Sequence, residues 1–373
     1  MRAPRLLVDI SAHGFGHLSQ TAPVLAALRR VRPDIELLVR SALPAELLSR
    51  RIEAPYAHLA VSSDFGFIMR NAIDIDVEAS AQRYRQLHAD WRGQVAAEAA
   101  RLEALAPDLV FANAAYLPLA GAAAADIPAV GMCSLNWADL FASFHRGEPW
   151  AMAVEAEMIA AYAGADAFLR VTPGMPMSRL ANRIDIGPIA RVATAESLPE
   201  RRVRLARALG LPEAGKWCLM AMGGMDFRVP VETWSADPDL CWICPAAWEM
   251  VGPNLGSFDQ RLLARHALDF FDLLACADVV VTKPGYGTFA ESVCNGIPLI
   301  YVPRGDWAEE APMVDWAARH GRITALPRES LHGLDPRPML DALWAQAAPA
   351  RPAANGAEQA AKFLSGRIPP AAG

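Results

Sequence analysis

Two stretches of the sequence concentrate reactive and ligand-binding side chains. The first is His13-Gly-Phe-Gly-His17, directly after the apolar run Leu6 to Ile10. The second is Lys283-Pro-Gly-Tyr-Gly-Thr288, after the apolar run Val279 to Thr282 and ahead of Glu291. In each, a strand leads through a glycine turn into a helix. Such a turn lets backbone approach a ligand closely, and the free N–H groups and dipole of the helix favour an anion. The second stretch suits a pyrophosphate, facing a helix that begins near Thr288 and stops at Asn295-Gly296. Thr288 can add a hydroxyl and Lys283 a charge. In the first, His17 opens a helix at the C-terminal side of strand one, where open α/β sheets place their ligands. A helix N-terminus disfavours imidazolium, so a neutral ring is available to take a proton from a hydroxyl.

Several other chemistries are disfavoured. A dinucleotide fingerprint needs a third glycine where Ser19 stands, and an acid after the second strand where Arg40 stands. No G-K-[ST] makes a P-loop, and no G-x-S-x-G makes a nucleophile elbow for Ser134, His145 and Asp139. Cys241 and Cys244 form a C-x-x-C with no second pair at zinc spacing, and read as packing. Asp74-Ile-Asp76 is a D-x-D that reads as a helix cap. Neither a metal nor a cofactor is expected. The formal net charge is -6 with no basic block, which argues against a nucleic-acid partner.

The elements that carry these stretches alternate. Leu6–Ile10, Ile35–Val39, Leu109–Ala112 and Ala129–Met132 read as buried strands in the first half. Trp217–Met222, Leu240–Ile243, Val279–Thr282 and Leu299–Val302 form a second series. Apolar residues recur at helical spacing from Tyr84 to Leu105 and predict one long amphipathic helix over 77–105. Strands alternating with helices imply parallel sheets with both faces covered. The 373 residues are enough for two domains, and 53% apolar against 20% charged residues gives material for two cores. The reading is α/β, with residues 1–190 and 191–352 as the two domains and 353–373 as a C-terminal helix packing back on the first. No run of about 18 apolar residues predicts a transmembrane segment, and the N-terminus does not read as a signal peptide, so a cytoplasmic protein is expected.

The segment Lys283 to Pro298 resembles the donor-binding signature of the nucleotide-sugar glycosyltransferases of plant secondary metabolism. Gly285, Tyr286, Glu291, Ser292, Gly296 and Pro298 fit without a gap. The turn ending Gly16-His17 resembles the N-terminal loop of the same enzymes, and the glycine-rich loop of the peptidoglycan N-acetylglucosaminyltransferase. Taken with Met222-Gly-Gly-Met225 and Asp306-Trp-Ala-Glu-Glu310, the chain resembles the glycosyltransferase-like N-terminal domain of L-arabinokinase and its stand-alone bacterial relatives.

That resemblance implies a GT-B fold, two Rossmann-like domains facing each other across a cleft. It implies transfer of a sugar from a nucleoside-diphosphate sugar, such as a UDP-sugar, to a small-molecule or lipid-linked hydroxyl acceptor. The transfer would be metal-independent and inverting. Residue by residue it makes His17 the base, and puts Gly16, Gly223, Gly224, Lys283, Gly285, Tyr286, Gly287 and Thr288 around the donor. Glu291 would bind ribose, and Glu309 and Glu310 would touch the donor sugar, with Glu310 in place of the usual glutamine. Asn113 stands where these enzymes carry an aspartate. An amide orients His17 without supplying a full charge, and Asp139 is a candidate to supply it instead. A non-catalytic nucleotide-sugar-binding module and a nucleotide-sugar epimerase of the same fold are the alternatives.

Overall fold

The computed structural model describes residues 2–224, 227–252 and 254–370. Among these, thirteen strands make two parallel sheets. The first sheet holds β1 (Arg5–Ile10), β2 (Glu36–Arg40), β3 (Ala57–Leu59), β4 (Leu109–Asn113), β5 (Ala129–Cys133), β6 (Ala167–Val171) and β7 (Arg183–Ile186). Its order is β3-β2-β1-β4-β5-β6-β7. The second holds β8 (Lys216–Ala221), β9 (Leu240–Pro245), β10 (Leu255–Phe258), β11 (Val279–Thr282), β12 (Leu299–Tyr301) and β13 (Ile323–Ala325), in the order β10-β9-β8-β11-β12-β13. Helices cover both faces, which is why runs such as Leu6-Leu7-Val8 and Val279-Val280-Val281 are apolar at every position and fully buried. In each sheet the strand order reverses beside the first strand, at β1/β4 and at β8/β11. A crevice opens at the C-terminal ends of the strands at each such point.

Two helices differ from the sequence reading. The stretch 77–105 is not one helix but two, Val77–His88 and Trp91–Leu105. Asp90 breaks it: its carboxylate accepts from the N–H of Gly93 and caps the second helix. The apolar spacing continues across the break, so periodicity alone does not see it. The helix of the second glycine turn starts two residues early, at Tyr286, with extended Gly285 as its N-cap. It ends, as its sequence indicates, on Gly296 in the left-handed region at φ 73°.

The two sheets are joined through buried contacts. The Tyr286 hydroxyl accepts from the N–H of Ile189 and donates to the carbonyl of Thr172, both at 2.9 Å. On the second domain, Asn295 anchors the segment that arrives from β7, accepting from the N–H of Ala193 at 2.9 Å. Asp74 pairs with Arg328 at 2.7 Å, and Asp76 caps the Val77–His88 helix, so the D-x-D carboxylates have structural partners. The chain then returns. Helix Gly356–Ser365 buries Ala357, Ala360, Ala361 and Leu364 against the Phe15–Val31 helix and β7. The Gly187 N–H donates to the Gln359 side chain at 2.7 Å and the Gly356 N–H to the Pro188 carbonyl at 2.9 Å.

A tight backbone approach in this return is Gly356, where a Cβ would run into the Gly187 carbonyl oxygen. Gly356→Ala should lower unfolding stability by about 1–3 kcal/mol. Gly366→Ala, whose Cβ meets nothing closer than 3.7 Å, should stay within about 0.5 kcal/mol of the parent. Urea unfolding of both variants checks this. Equal loss in the two means the close approach does not hold the tail.

Candidate functional site

Parallel pairing sets the first half of the site. Ile10 lies opposite Asn113 in the β1–β4 register, so the helix that follows β1 carries His17 over the end of β4. His17 Nδ1 and Asn113 Oδ1 are 2.8 Å apart, and both residues are buried. An amide oxygen only accepts, so Nδ1 carries the proton and Nε2 keeps its lone pair. Cys133, at the end of β5, brings its Sγ to 3.7 Å from the same Nδ1. Burial pulls His17 down to about 4, only partly opposed by the Asn113 hydrogen bond. His13 is pulled to about 3 by burial and by the nearby charges of His17, Arg304 and Lys283. Its ring stacks on Trp307, with centroids 5.9 Å apart, and meets the edge of Trp137 at 5.1 Å.

The second half sits at the β8/β11 switch point. Gly223 and Gly224 follow β8, and Lys283 follows β11. Gly223 has φ +90°, a conformation that a side chain would strain. A Cβ on Gly224 would come within 2.5 Å of the Phe15 ring, and one on Gly287 within 2.9 Å of Ser19 Oγ. The first turns of the Phe15–Val31 and Tyr286–Asn295 helices therefore meet across the domains. Gly16 lies in the first of these turns, and its carbonyl accepts from Ser19 Oγ at 2.8 Å. Thr288 is partly exposed on the other. Lys283 passes beside Gly223 and Gly285, with Nζ at 3.6 Å from where a Gly285 Cβ would stand. Burial, then Arg304, pull its ammonium down to about 7, against the pull of Glu309.

Four sequence-picked residues already have partners within the protein. Tyr286 is buried with its hydroxyl committed to the other domain, so it is a joint residue and presents no polar group to a donor. Glu310 accepts from the N–H groups of Arg304 and Gly305 through one carboxylate oxygen and so helps to fix that loop. Glu309 is buried between the domains, accepting from Ser134 Oγ at 2.6 Å and Trp307 Nε1 at 3.1 Å. Glu291 lies 3.4 Å from Arg191, which also binds Asp269; burial raises its carboxyl despite Arg191 and Arg51. Asp139 is held by Asn136 and Arg179 and does not back His17. His145 pairs with Glu148, so it forms no triad with Ser134. Met225 lies outside the described residues.

Other residues of the site carry no sequence signal of their own. Asp64 is buried and accepts from Trp137 Nε1 at 2.7 Å; burial, reinforced by Asp9, pushes it up to about 7. Gln20 reaches Ser134 at 2.8 Å and completes a Gln20–Ser134–Glu309 chain across the cleft. Arg304 follows β12 and stacks on Trp307. Its place beyond the C-terminal end of a strand is the one clue that the sequence offers.

No family model matches the chain. A solved structure of the glycotransferase of kitacinnamycin superposes with a TM-score of 0.66 at 15% identity, covering 99% of this chain and all of that one. UGT2 of Phytolacca americana, solved with UDP-2-fluoro-glucose and pterostilbene, has a TM-score of 0.54 at 14% identity over 98% of this chain and 94% of that one. The fold is GT-B. Among curated proteins, L-arabinokinase of Arabidopsis thaliana is 23% identical over 316 residues, 82% of this chain but 28% of that protein. An uncharacterized glycosyltransferase of Methanopyrus kandleri is 26% identical over 195 residues, 49% of this chain and 54% of that one. The chain thus spans about a quarter and about half of these two relatives. No helix of the described GT-B chain is long and apolar enough to cross a membrane.

The neutral His17 has a measurable consequence. Unfolded, it protonates near pH 6.5; folded, only near 4. Between these values the unfolded chain binds a proton that the folded chain refuses, so stability falls as pH is lowered through the window. His17→Gln removes this contribution. Its loss of unfolding free energy between pH 7.5 and 5.0 should be smaller than the parent's by roughly 1–2 kcal/mol. Equal losses would mean that His17 titrates normally in the fold.

Proposed function

We propose that this protein is a glycosyltransferase that moves a sugar from a nucleoside-diphosphate sugar onto a hydroxyl acceptor. The observation that carries the reading is the meeting of two helix N-termini at the two switch points. One brings the free Nε2 of His17, the other a glycine turn with Lys283. The acceptor sits on the domain of residues 1–190 and is a small molecule or a lipid-linked alcohol. The donor sits on the domain of residues 191–352, and the tail 353–373, described as far as 370, belongs with the first. UDP is the nucleotide we favour, and the cytoplasm the compartment.

In this reading the acceptor oxygen attacks the anomeric carbon as its proton passes to His17 Nε2. The bond from that carbon to the diphosphate oxygen breaks on the opposite face, so the configuration inverts. Negative charge grows on the leaving diphosphate. The N–H groups around Gly223, Gly224, Gly285 and Gly287, the Thr288 hydroxyl and Lys283 stabilise it, and no metal or further cofactor is required. Gly16 shapes the acceptor-side turn, and Glu291 receives the ribose. Glu309 lines the sugar end from its bridge to Ser134.

One observation favours a second reading, a non-catalytic nucleotide-sugar-binding module. A base held near 4 by burial and backed by an amide is weak at neutral pH. Calorimetry with a panel of nucleotide sugars, followed by turnover assays, separates the two: the module binds a donor and turns nothing over.

For the enzyme, His17→Ala should cut turnover by about 10²- to 10⁴-fold and leave donor affinity nearly unchanged. Full activity in that variant removes His17 as base. Thr288→Ala and Glu291→Ala should each weaken donor binding by about 5- to 150-fold with the fold intact, and unchanged affinity in both removes the proposed cradle.

Asn113→Asp puts a charge behind the ring and stabilises imidazolium, so the His17 pKa should rise. The acid limb of the rate–pH profile then moves to higher pH, while activity at neutral pH holds or increases. An unmoved limb means the Asn113 contact does not tune the base.

A further inference from the structure

Arg304 is built into the cleft in a way that structural arginines elsewhere in the chain are not. Its backbone N–H donates to Glu310 and its carbonyl accepts from Arg328, both at 2.8 Å, while its guanidinium lies 3.7 Å above the Trp307 ring. The residue is only 7% exposed, yet its Nε has no hydrogen-bond partner and it forms no ion pair among the described residues. Four carboxylates lie around it without pairing to it: Glu309 accepts from Ser134 and Trp307, one oxygen of Glu310 accepts from two backbone N–H groups, Asp74 pairs with Arg328, and Asp306 stands in the same loop. Lys283 is the next cation and likewise has no ion pair among the described residues. His13, stacked on the same Trp307, also leaves Nε2 without a partner. A buried guanidinium held rigidly and left unsatisfied costs stability that a ligand must offset, and its planar fork matches a carboxylate.

The position of this charge narrows the ligand. Gly285, Thr288, the helix N-terminus and Lys283 suffice for the two negative charges of a diphosphate. Arg304 lies on the neighbouring strand end, in the same loop as Glu309, and shares the Trp307 ring with His13. Resting on the glycosyltransferase reading above, we infer that Arg304 binds a carboxylate on the transferred sugar, so that the donor is a nucleoside-diphosphate uronic acid rather than a neutral hexose.

The test is calorimetry of the full chain with UDP, UDP-glucose and UDP-glucuronate, repeated with dTDP and with pyrophosphate. The parent should bind the uronate about 10- to 100-fold more tightly than the hexose on the same nucleotide. Arg304→Gln should erase that preference while leaving UDP-glucose and UDP within twofold, and Arg304→Lys should restore part of it. Equal weakening of UDP, hexose and uronate in Arg304→Gln makes Arg304 a phosphate ligand and overturns the inference. So does a parent that binds diphosphates without preferring the uronate. Earlier unfolding of ligand-free Arg304→Gln also overturns it, because the guanidinium would then be structural. Failure of every diphosphate, pyrophosphate included, refutes the glycosyltransferase reading itself, and the uronate with it.

Discussion

The hydroxyl of Tyr286 holds the first residue of one helix against the backbone of the other domain, accepting from Ile189 and donating to Thr172. That residue opens the helix whose N-terminus faces the cleft, so the bond fixes where the free N–H groups point. The glycines do the rest. Gly287 allows Ser19 to approach, Gly224 allows Phe15, and Gly356 allows Gly187. A side chain at Gly287 or Gly224 would press on Ser19 or Phe15 of the other domain, and one at Gly356 on the backbone that the tail packs against, so the close approach of the two switch points depends on these glycines.

Charge is distributed in this molecule in two distinct ways. Where a buried charge is structural, it is paired. Arg40 lies between Asp9 and Glu98, Asp9 accepts from Ser63, and Glu98 also holds Arg101. That network fills the end of β2, where a dinucleotide-binding protein would present an acid to ribose. In the cleft the opposite holds. His17 is kept neutral against an amide, Lys283 is drawn toward neutrality, and Arg304 stays charged without a partner. Desolvation without compensation is expensive, and it is tolerated where a ligand supplies the missing charge.

Much of the fold is legible in the chain because strands buried on both faces must be continuously apolar. Leu6–Ile10, Leu109–Ala112, Ala129–Met132, Trp217–Met222 and Val279–Thr282 all show it. Strands that escape the reading lie toward the edges, are short, or carry charge: Ala57–Leu59, Ile323–Ala325, and Arg183–Ile186 with exposed Ile184 and Asp185. The break at Asp90 is hidden for another reason, since capping competes with helix locally and leaves the apolar spacing intact.

The sequence by itself determined the two glycine turns, the helices they open and the apolar strands before them. Each depends on residues adjacent in the chain, through φ freedom, dipole and burial. What joins those pieces is long-range. His17 meets Asn113 across 96 positions and Ser134 meets Glu309 across 175, through strand register and domain docking that no local pattern encodes. Only the tertiary structure could therefore commit the Tyr286 hydroxyl to the other domain and one Glu310 oxygen to the Arg304 loop, and place Arg304 beside Trp307 and Asp64 beside Trp137. A side chain's work is decided by the partners that reach it first. Those partners come from distant segments whose positions are set by packing rather than by spacing.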